Sequence, residues 1–254
     1  MPKQQFKLVY SKELIPKVHF FTFQTEAETN FVPGQFFSLE VAPKVNRSYS
    51  TVQCGKIAPN FFEEGLPDLE VGEYASFMIS TKPGGDASKF FEEIQLGTSL
   101  QAVGPAGQFK LHLNDQAKVF IATGTGLAPF IGIIDQELTI NPESKITVFF
   151  GCWKISDNFA PEFLAKFADK SKYPNFNLFV VPEDLEGGSE TEFLKAGRVT
   201  TVIPAVYSDY VKTDFYICGH PLMVADMAVV LENLGAVEKQ NLFMEKFGVV
   251  KKVA

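Results

Sequence analysis

Arginine is nearly absent from this chain: of 254 residues, 23 are lysine or arginine, and only Arg47 and Arg198 are arginines. Cysteine and histidine are equally sparse, at three each. Cys54, Cys152 and Cys218 are far apart and odd in number, which argues against a disulfide framework and against a cysteine-rich metal or iron–sulfur site. His19, His112 and His220 show no ligand spacing, so no metal site is expected. Serine, histidine and aspartate are present, but no G-x-S-x-G turn supports a hydrolytic triad. A basic face is missing too. The net charge is -7 and the lysines are scattered apart from Lys251-Lys252, so no nucleic-acid partner is expected. Long apolar runs are lacking as well. The longest, Val119 to Ile134, is broken by Thr123-Gly124-Thr125-Gly126 and Pro129, and no integral membrane segment is expected. The start, Met1-Pro2-Lys3-Gln4-Gln5-Phe6, has no apolar secretory core, which makes the expected location cytoplasmic.

The length points to two domains, at roughly 100–200 residues each. Short β-rich runs fill the first part: Phe6 to Tyr10, Val18 to Gln24, Phe36 to Val41, Arg47 to Gln53, Leu69 to Ile79 and Ser99 to Ala102. Turn chemistry such as Val32-Pro33-Gly34-Gln35 and Lys82-Pro83-Gly84-Gly85-Asp86 separates them, predicting six antiparallel strands closed into a small barrel. A short helix is expected at Ala87 to Glu93. Beyond about Asp115 the rhythm changes. Apolar strand-like runs at Lys118 to Ala122, Lys145 to Phe150, Asn177 to Val181 and Phe215 to Cys218 alternate with helical periodicity at Pro129 to Leu138, Ala160 to Ser171 and Pro221 to Leu234. Alternation of this kind predicts a parallel sheet covered by helices, a Rossmann-like α/β domain. The expected domains are residues 1–114 and 115–254. No function attaches to the 26 phenylalanines, whose abundance has the look of a compositional bias.

Four segments carry chemistry. In Arg47-Ser48-Tyr49-Ser50-Thr51, a guanidinium can clamp a phosphate bidentately, where a lysine would be a point charge. Period-two alternation sets Tyr49 on the same face as Arg47. Ser50 adds a hydroxyl on the opposite face or at the strand end. The other reading is a surface ion pair beside a packed tyrosine. Gly84-Gly85-Asp86-Ala87-Ser88 is a candidate anion nest at a helix start, or a serine-capped turn. Val119 through Pro129 runs a buried strand into Gly124-Thr125-Gly126 and then a proline suited to a helix's first turn. That is a phosphate cradle at a strand's carboxyl end, although Pro129 replaces the third glycine of G-x-G-x-x-G and a tight structural turn is the alternative. Cys218-Gly219-His220-Pro221 repeats the strand, glycine and proline-started helix, which makes Cys218 either a core residue or part of a site wall.

Taken together, these segments resemble the ferredoxin-NADP reductase family of flavoprotein reductases over nearly the whole chain. Arg47-Ser48-Tyr49-Ser50 is similar to its flavin motif, Gly84-Gly85 through Ser88 to its diphosphate turn, Gly124-Thr125-Gly126 through Pro129 to its nicotinamide-nucleotide motif, and Cys218 through Pro221 to its nicotinamide-side motif. Pro33-Gly34-Gln35-Phe36 and Gly104-Pro105-Ala106-Gly107 resemble secondary signatures. The resemblance implies an FAD-binding barrel, a following NAD(P)-binding domain, and hydride transfer from nicotinamide C4 to flavin N5 at their interface. It implies that Tyr49 packs on the isoalloxazine, that Ser50 lies near N5, and that Arg47 and the backbone of Gly85, Ala87 and Ser88 hold the diphosphate. Thr125 and its neighbouring glycines would meet the nicotinamide nucleotide. Cys218, with Gly219 and Pro221, would stand beside the nicotinamide, and Glu245 would position it or relay a proton. A solvated surface charge is the other reading of Glu245.

NADP-preferring members carry a serine and basic residues near the end of the third nucleotide-domain strand. Here that place reads Val181-Pro182-Glu183-Asp184. Carboxylates repel a 2′-phosphate and accept hydrogen bonds from a free ribose hydroxyl, so NADH is expected over NADPH, with Lys154 the remaining candidate for a phosphate contact. Trp153 replaces an arginine often found there. A loop at residues 55–67, longer than the family usually has, and the tail at 248–254 are lid or partner-surface candidates. The expected activity is that of an FAD-dependent NAD(P)H reductase that passes electrons singly to a separate carrier such as ferredoxin, flavodoxin or an oxygenase component. Reduction of free flavin and a non-autonomous electron-transfer subunit of a larger complex are the alternatives.

Overall fold

The computed structural model describes residues 3–56, 72–82 and 84–248. Most of the expected 55–67 loop and of the 248–254 tail, and Pro83, lie outside them. The described residues up to Leu111, with Ala128–Ile133, form one compact unit, and those of His112–Leu127 and from Ile134 onward form the other.

In the first unit, β1 (Lys3–Ile15), β2 (Val18–Thr25), β3 (Phe36–Ala42), β4 (Val45–Gly55), β5 (Glu73–Ser80) and β6 (Ser99–Ala106) form a closed antiparallel barrel in the order β1-β2-β5-β4-β3-β6. The barrel follows from alternation. Along β3 the side chains of Phe37, Leu39 and Val41 are buried while their neighbours are half-exposed, the period of two that puts one face of a strand inside. Phenylalanines fill the interior: Phe6, Phe21, Phe23, Phe37 and Phe77 belong to one buried cluster with Phe91, and the Phe6 and Phe37 rings lie 5.1 Å apart. Phe91 arrives on helix α1 (Asp86–Glu93). Of the run expected at Leu69 to Ile79, residues 69–71 lie outside the described residues, and strand covers Glu73–Ser80.

The second unit is a five-stranded sheet in the order β11-β10-β7-β8-β9, every pairing parallel. Its strands are β7 (Ala117–Thr123), β8 (Ile146–Lys154), β9 (Phe176–Asp184), β10 (Thr213–Gly219) and β11 (Leu242–Lys246). Helices α2 (Ala128–Ile140), α3 (Ala160–Leu164), α4 (Val199–Val206) and α5 (Pro221–Asn233) connect them. Strand β10 is buried along its whole length, as expected of a strand covered on both faces.

Three elements differ from the sequence-based expectation. The helix expected at Ala160 to Ser171 ends at Leu164 and continues only as a 3-10 turn, Ala165–Phe167. Asp169 then draws the amide and hydroxyl of Ser171 into a local turn, at 2.9 and 2.6 Å, which competes with the helix. Helix α4 is not anticipated by propensity, because Val-Thr-Thr-Val-Ile-Pro-Ala-Val has β-branched residues and an internal proline. It is helical because Val199, Val202 and Ile203, at i, i+3 and i+4, are buried together. Strand β11 is likewise unforeseen.

This sheet is tied down in two places. At its amino edge, Lys118 and Asp214 are both fully buried and pair at 3.5 Å. Asn114 links them, donating to Asp214 Oδ2 at 3.0 Å and accepting from Lys118 Nζ at 2.6 Å. At its β9 end, Val180 donates to Phe193 O and accepts from Lys195 N, at 2.9 and 3.0 Å, so the returning chain lies along the last strand.

Candidate functional site

In the barrel, the flavin-motif residues lie on β4 opposite β3. Arg47 faces Leu39, Ser48 faces Ser38, Tyr49 faces Phe37 and Ser50 faces Phe36. Paired residues share a face, so Arg47 and Tyr49 share one, as the alternation predicts. Ser50 is buried, at 5% exposure. The Phe91 ring stands edge-on to Tyr49, 5.4 Å away at 84°, and fixes the phenol's plane. Burial pushes the Tyr49 hydroxyl up to about 12, against the opposing pull of the Arg47 charge, which leaves it protonated at neutral pH. Arg47 is exposed, and its Nη1 donates to the carbonyl of Asn46 at 2.8 Å.

Gly84 and Gly85 precede α1 with φ of 74° and 86°. A Cβ placed on either would meet no heavy atom of the other described residues, chain neighbours aside, within 4 Å. These glycines therefore face open space, in a backbone region that side chains rarely adopt. The first helical bond runs from Lys89 N to Gly85 O at 3.0 Å, which leaves the amides of Asp86, Ala87 and Ser88 as the helix's N-terminal donors. The Ser88 hydroxyl donates to Gly84 O at 2.9 Å, so it closes the turn and only its amide remains for an anion. An open positive-φ glycine pair, a helix start and an exposed guanidinium fit a diphosphate, and a half-buried aromatic ring next to them fits the apolar ring system of a flavin.

In the α/β unit, the chain runs from β7 outward through β8 to β9, then returns to the other side of β7 as β10. The strand order reverses between β7 and β10, and the crevice at the carboxyl ends of such a pair is where open α/β sheets bind ligands. Gly124–Leu127 form a 3-10 turn there and Pro129 lies in the first turn of α2. Gly124, at φ 54°, faces open space within 4 Å, a fit for a nucleotide's close approach. Thr125 is half-exposed.

Cys218, Gly219 and Pro221 end β10 and begin α5 beside that turn. Cys218 is fully buried, and burial, aided by the charge of Glu245, raises its thiol well above the usual range. A neutral, enclosed thiol is not a nucleophile. Glu245, half-buried, lies opposite Cys218 in the parallel register of β10 and β11. The fold thus brings together two residues separated by the whole of α5 and the first part of β11.

At the end of β9, Glu183 pairs with Arg198 Nε at 3.2 Å, and Asp184 Oδ1 accepts from Glu186 N at 2.8 Å. Lys154 pairs with Glu186 at 3.6 Å. Arg198 has no role legible in the sequence, and Phe91 is lost there among the other phenylalanines. No sequence signal joins either to its partner.

Burial also pushes the Cys54 and Cys152 thiols from 9.0 to about 11 and about 12. Unfolded thiols lose their protons near the ordinary value while the folded ones keep them. Their contribution to stability is therefore present below about pH 9 and lost as the pH climbs toward 11 and 12. The urea midpoint should accordingly fall from about pH 9 upward; a midpoint that stays level across this range would contradict the burial of these thiols.

Barrel and sheet each match a family of oxidoreductase nucleotide-binding domains. Residues 5–111 match the family model of the oxidoreductase FAD-binding domain, and residues 120–228 that of the oxidoreductase NAD-binding domain. The chain belongs to the ferredoxin-NADP reductase family. It is 30% identical over 239 residues to NADH-cytochrome b5 reductase 1 of Mortierella alpina, covering 80% of this chain and 76% of that one. It is 29% identical over 219 residues to the ferredoxin–NAD(P)(+) reductase component of the naphthalene 1,2-dioxygenase system of Pseudomonas putida, covering 85% of this chain and 60% of that one. The toluate 1,2-dioxygenase electron transfer component of Pseudomonas putida matches over 85% of this chain and 59% of its own length, at 28% identity. The chain thus spans little more than half the length of several such relatives. Among solved structures, a ferredoxin NADP+ reductase from Neisseria gonorrhoeae with bound FAD and NADP superposes with a TM-score of 0.73 at 20% identity, covering 97% of this chain and 99% of that one. A cytochrome P450 reductase from Amycolatopsis gives 0.79 at 21% identity, covering 97% and 70%. Among the described residues, no helix is long and apolar enough to cross a membrane, and no cluster suited to a metal ion occurs.

Proposed function

We propose that the chain is a cytoplasmic FAD-dependent NAD(P)H reductase that prefers NADH and delivers electrons one at a time to a separate carrier protein, such as a ferredoxin, a flavodoxin or an oxygenase component. The observation that carries this reading is a pair of open glycine turns, Gly84-Gly85 at a helix start and Gly124 at the sheet's reversal point. Bound FAD would supply the chemistry, accepting a hydride at N5 and releasing its two electrons singly, so that each NADH yields one NAD+, one proton and two reduced carriers.

The protein's own groups bind and orient. Arg47 and the amides of Ala87 and Ser88 hold the diphosphate, Tyr49 offers its face to the ring system, and the Ser50 hydroxyl lies on the next position of β4. Gly124 and Thr125 admit the dinucleotide. Cys218 walls the nicotinamide end, and Glu245 orients it or holds a proton. A retained diphosphate clamp favours bound FAD over free flavin as substrate. Three unpaired cysteines suit a reducing compartment.

Preference for NADH is supported by the pairing of both nearby cations. Arg198 is matched by Glu183 and Lys154 by Glu186, so neither has charge to spare for a 2′-phosphate. Anaerobic titration of the FAD-loaded protein tests the whole reading: NADH should bleach the flavin and NADPH should do so less effectively. Protein that binds no FAD, or flavin that neither nucleotide bleaches, would overturn the function, and a strong NADPH preference would overturn the specificity. Glu183→Gln frees Arg198 and should shift the NADH-to-NADPH ratio toward NADPH by about tenfold, or 1.4 kcal/mol.

A further inference from the structure

We propose that Thr123 is the positioning residue of the dinucleotide cradle, its hydroxyl locking the Cys218-Gly219-His220 turn onto the Gly124-Thr125-Gly126 turn. This rests on the reading of the β7–β10 crevice as a nicotinamide-nucleotide site. Thr123 is the last residue of β7, and its Oγ1 accepts a hydrogen bond from His220 N at 3.1 Å. The two turns interlock around that bond. A Cβ on Gly219, whose φ is 138°, would stand 2.4 Å from Thr123 Oγ1 and 2.7 Å from Thr123 O. Reciprocally, a Cβ on Gly126 would stand 2.3 Å from Cys218 O. Both glycines are used for contact between the turns, so of the three glycines Gly124 alone opens to a ligand.

The lock reaches further. His220 caps α5, its Nδ1 accepting from Leu222 N at 3.3 Å, and Gly219 O accepts from Phe247 N at 2.9 Å. That second bond anchors the chain two residues beyond Glu245. The Thr123 hydroxyl is therefore bonded to a turn that itself joins the helix start, Cys218 and the chain just past β11. On the third side Thr123 Cγ2 would be 3.0 Å from a Cβ on Gly151, so the methyl fits against β8 while the hydroxyl serves β10. Without the hydroxyl, the His220 amide loses its acceptor, and a dinucleotide must order the turn as it binds.

Three variants separate hydroxyl from methyl: Thr123→Val keeps the shape without the acceptor, Thr123→Ser keeps the acceptor without the methyl, and Thr123→Ala removes both in case the valine folds poorly. On FAD-loaded protein, NAD+ affinity is measured by calorimetry alongside flavin content and the thermal midpoint. Valine and alanine should weaken NAD+ by roughly tenfold, serine should bind within about twofold of the wild type, and flavin content should be unchanged in all three. Wild-type affinity in the valine and alanine variants, or equal weakening in serine and valine, would overturn the role of the hydroxyl. A wild type that binds neither NAD+ nor NADP+ would overturn the nucleotide-site reading, and this inference with it.

Discussion

Arg47→Ala should release FAD during purification, with an affinity about 100-fold below that of the wild type. Truncating one partner of a charge pair costs roughly 2–5 kcal/mol, and 100-fold corresponds to about 2.7 kcal/mol. The apoprotein should melt within a few degrees of the wild type. Arg47 is exposed and bonds the carbonyl of its own neighbour, Asn46, so its removal takes little from the fold. Arg47→Lys should fall between the two, since it keeps the charge but loses the planar fork. Fluorescence titration of apoprotein with FAD measures all three, and equal affinities would remove the diphosphate role from Arg47.

The second large effect is structural. Asp214→Ala should destabilise the protein by about 3–5 kcal/mol, because it leaves the Lys118 ammonium buried without its counter-charge. Lys118 still donates to Asn114 Oδ1 and to the carbonyls of Asn114 and Gln116, but neutral acceptors do not replace a carboxylate. Urea unfolding should show the loss. Lys118→Met combined with Asp214→Leu should recover much of it, since apolar pairs of similar volume often match or exceed buried ion pairs. A double variant as unstable as Asp214→Ala would point to the Asn114 bonds as the source of the effect.

What could be read from the sequence was local. Gly84-Gly85, Gly124 and the prolines after Gly126 and Gly219 impose their geometry on their own neighbours, and strand alternation shows through in β3 and β4. Helix α4 was hidden because burial of Val199, Val202 and Ile203 overrides the propensities of a β-branched, proline-containing segment. Strand β11 was hidden because five residues containing Glu245 and Lys246 show neither alternation nor an apolar run. At the sites, contacts between distant residues were out of reach: Tyr49 with Phe91, Glu183 with Arg198, and Gly126 with the carbonyl of Cys218. Nor does the motif show that the space left by the missing side chain of Gly126 is filled by the backbone of Cys218.

The bond pair from Val180 to Phe193 and Lys195 also bears on self-association. An unpaired outer strand is a template on which a second chain can add and from which aggregates grow. At β9 that template is partly taken by the protein's own returning segment. At the opposite border β11 is only five residues long, a short edge of the kind that limits such addition. The sheet therefore resists extension from both borders by different means, one by cover and the other by brevity.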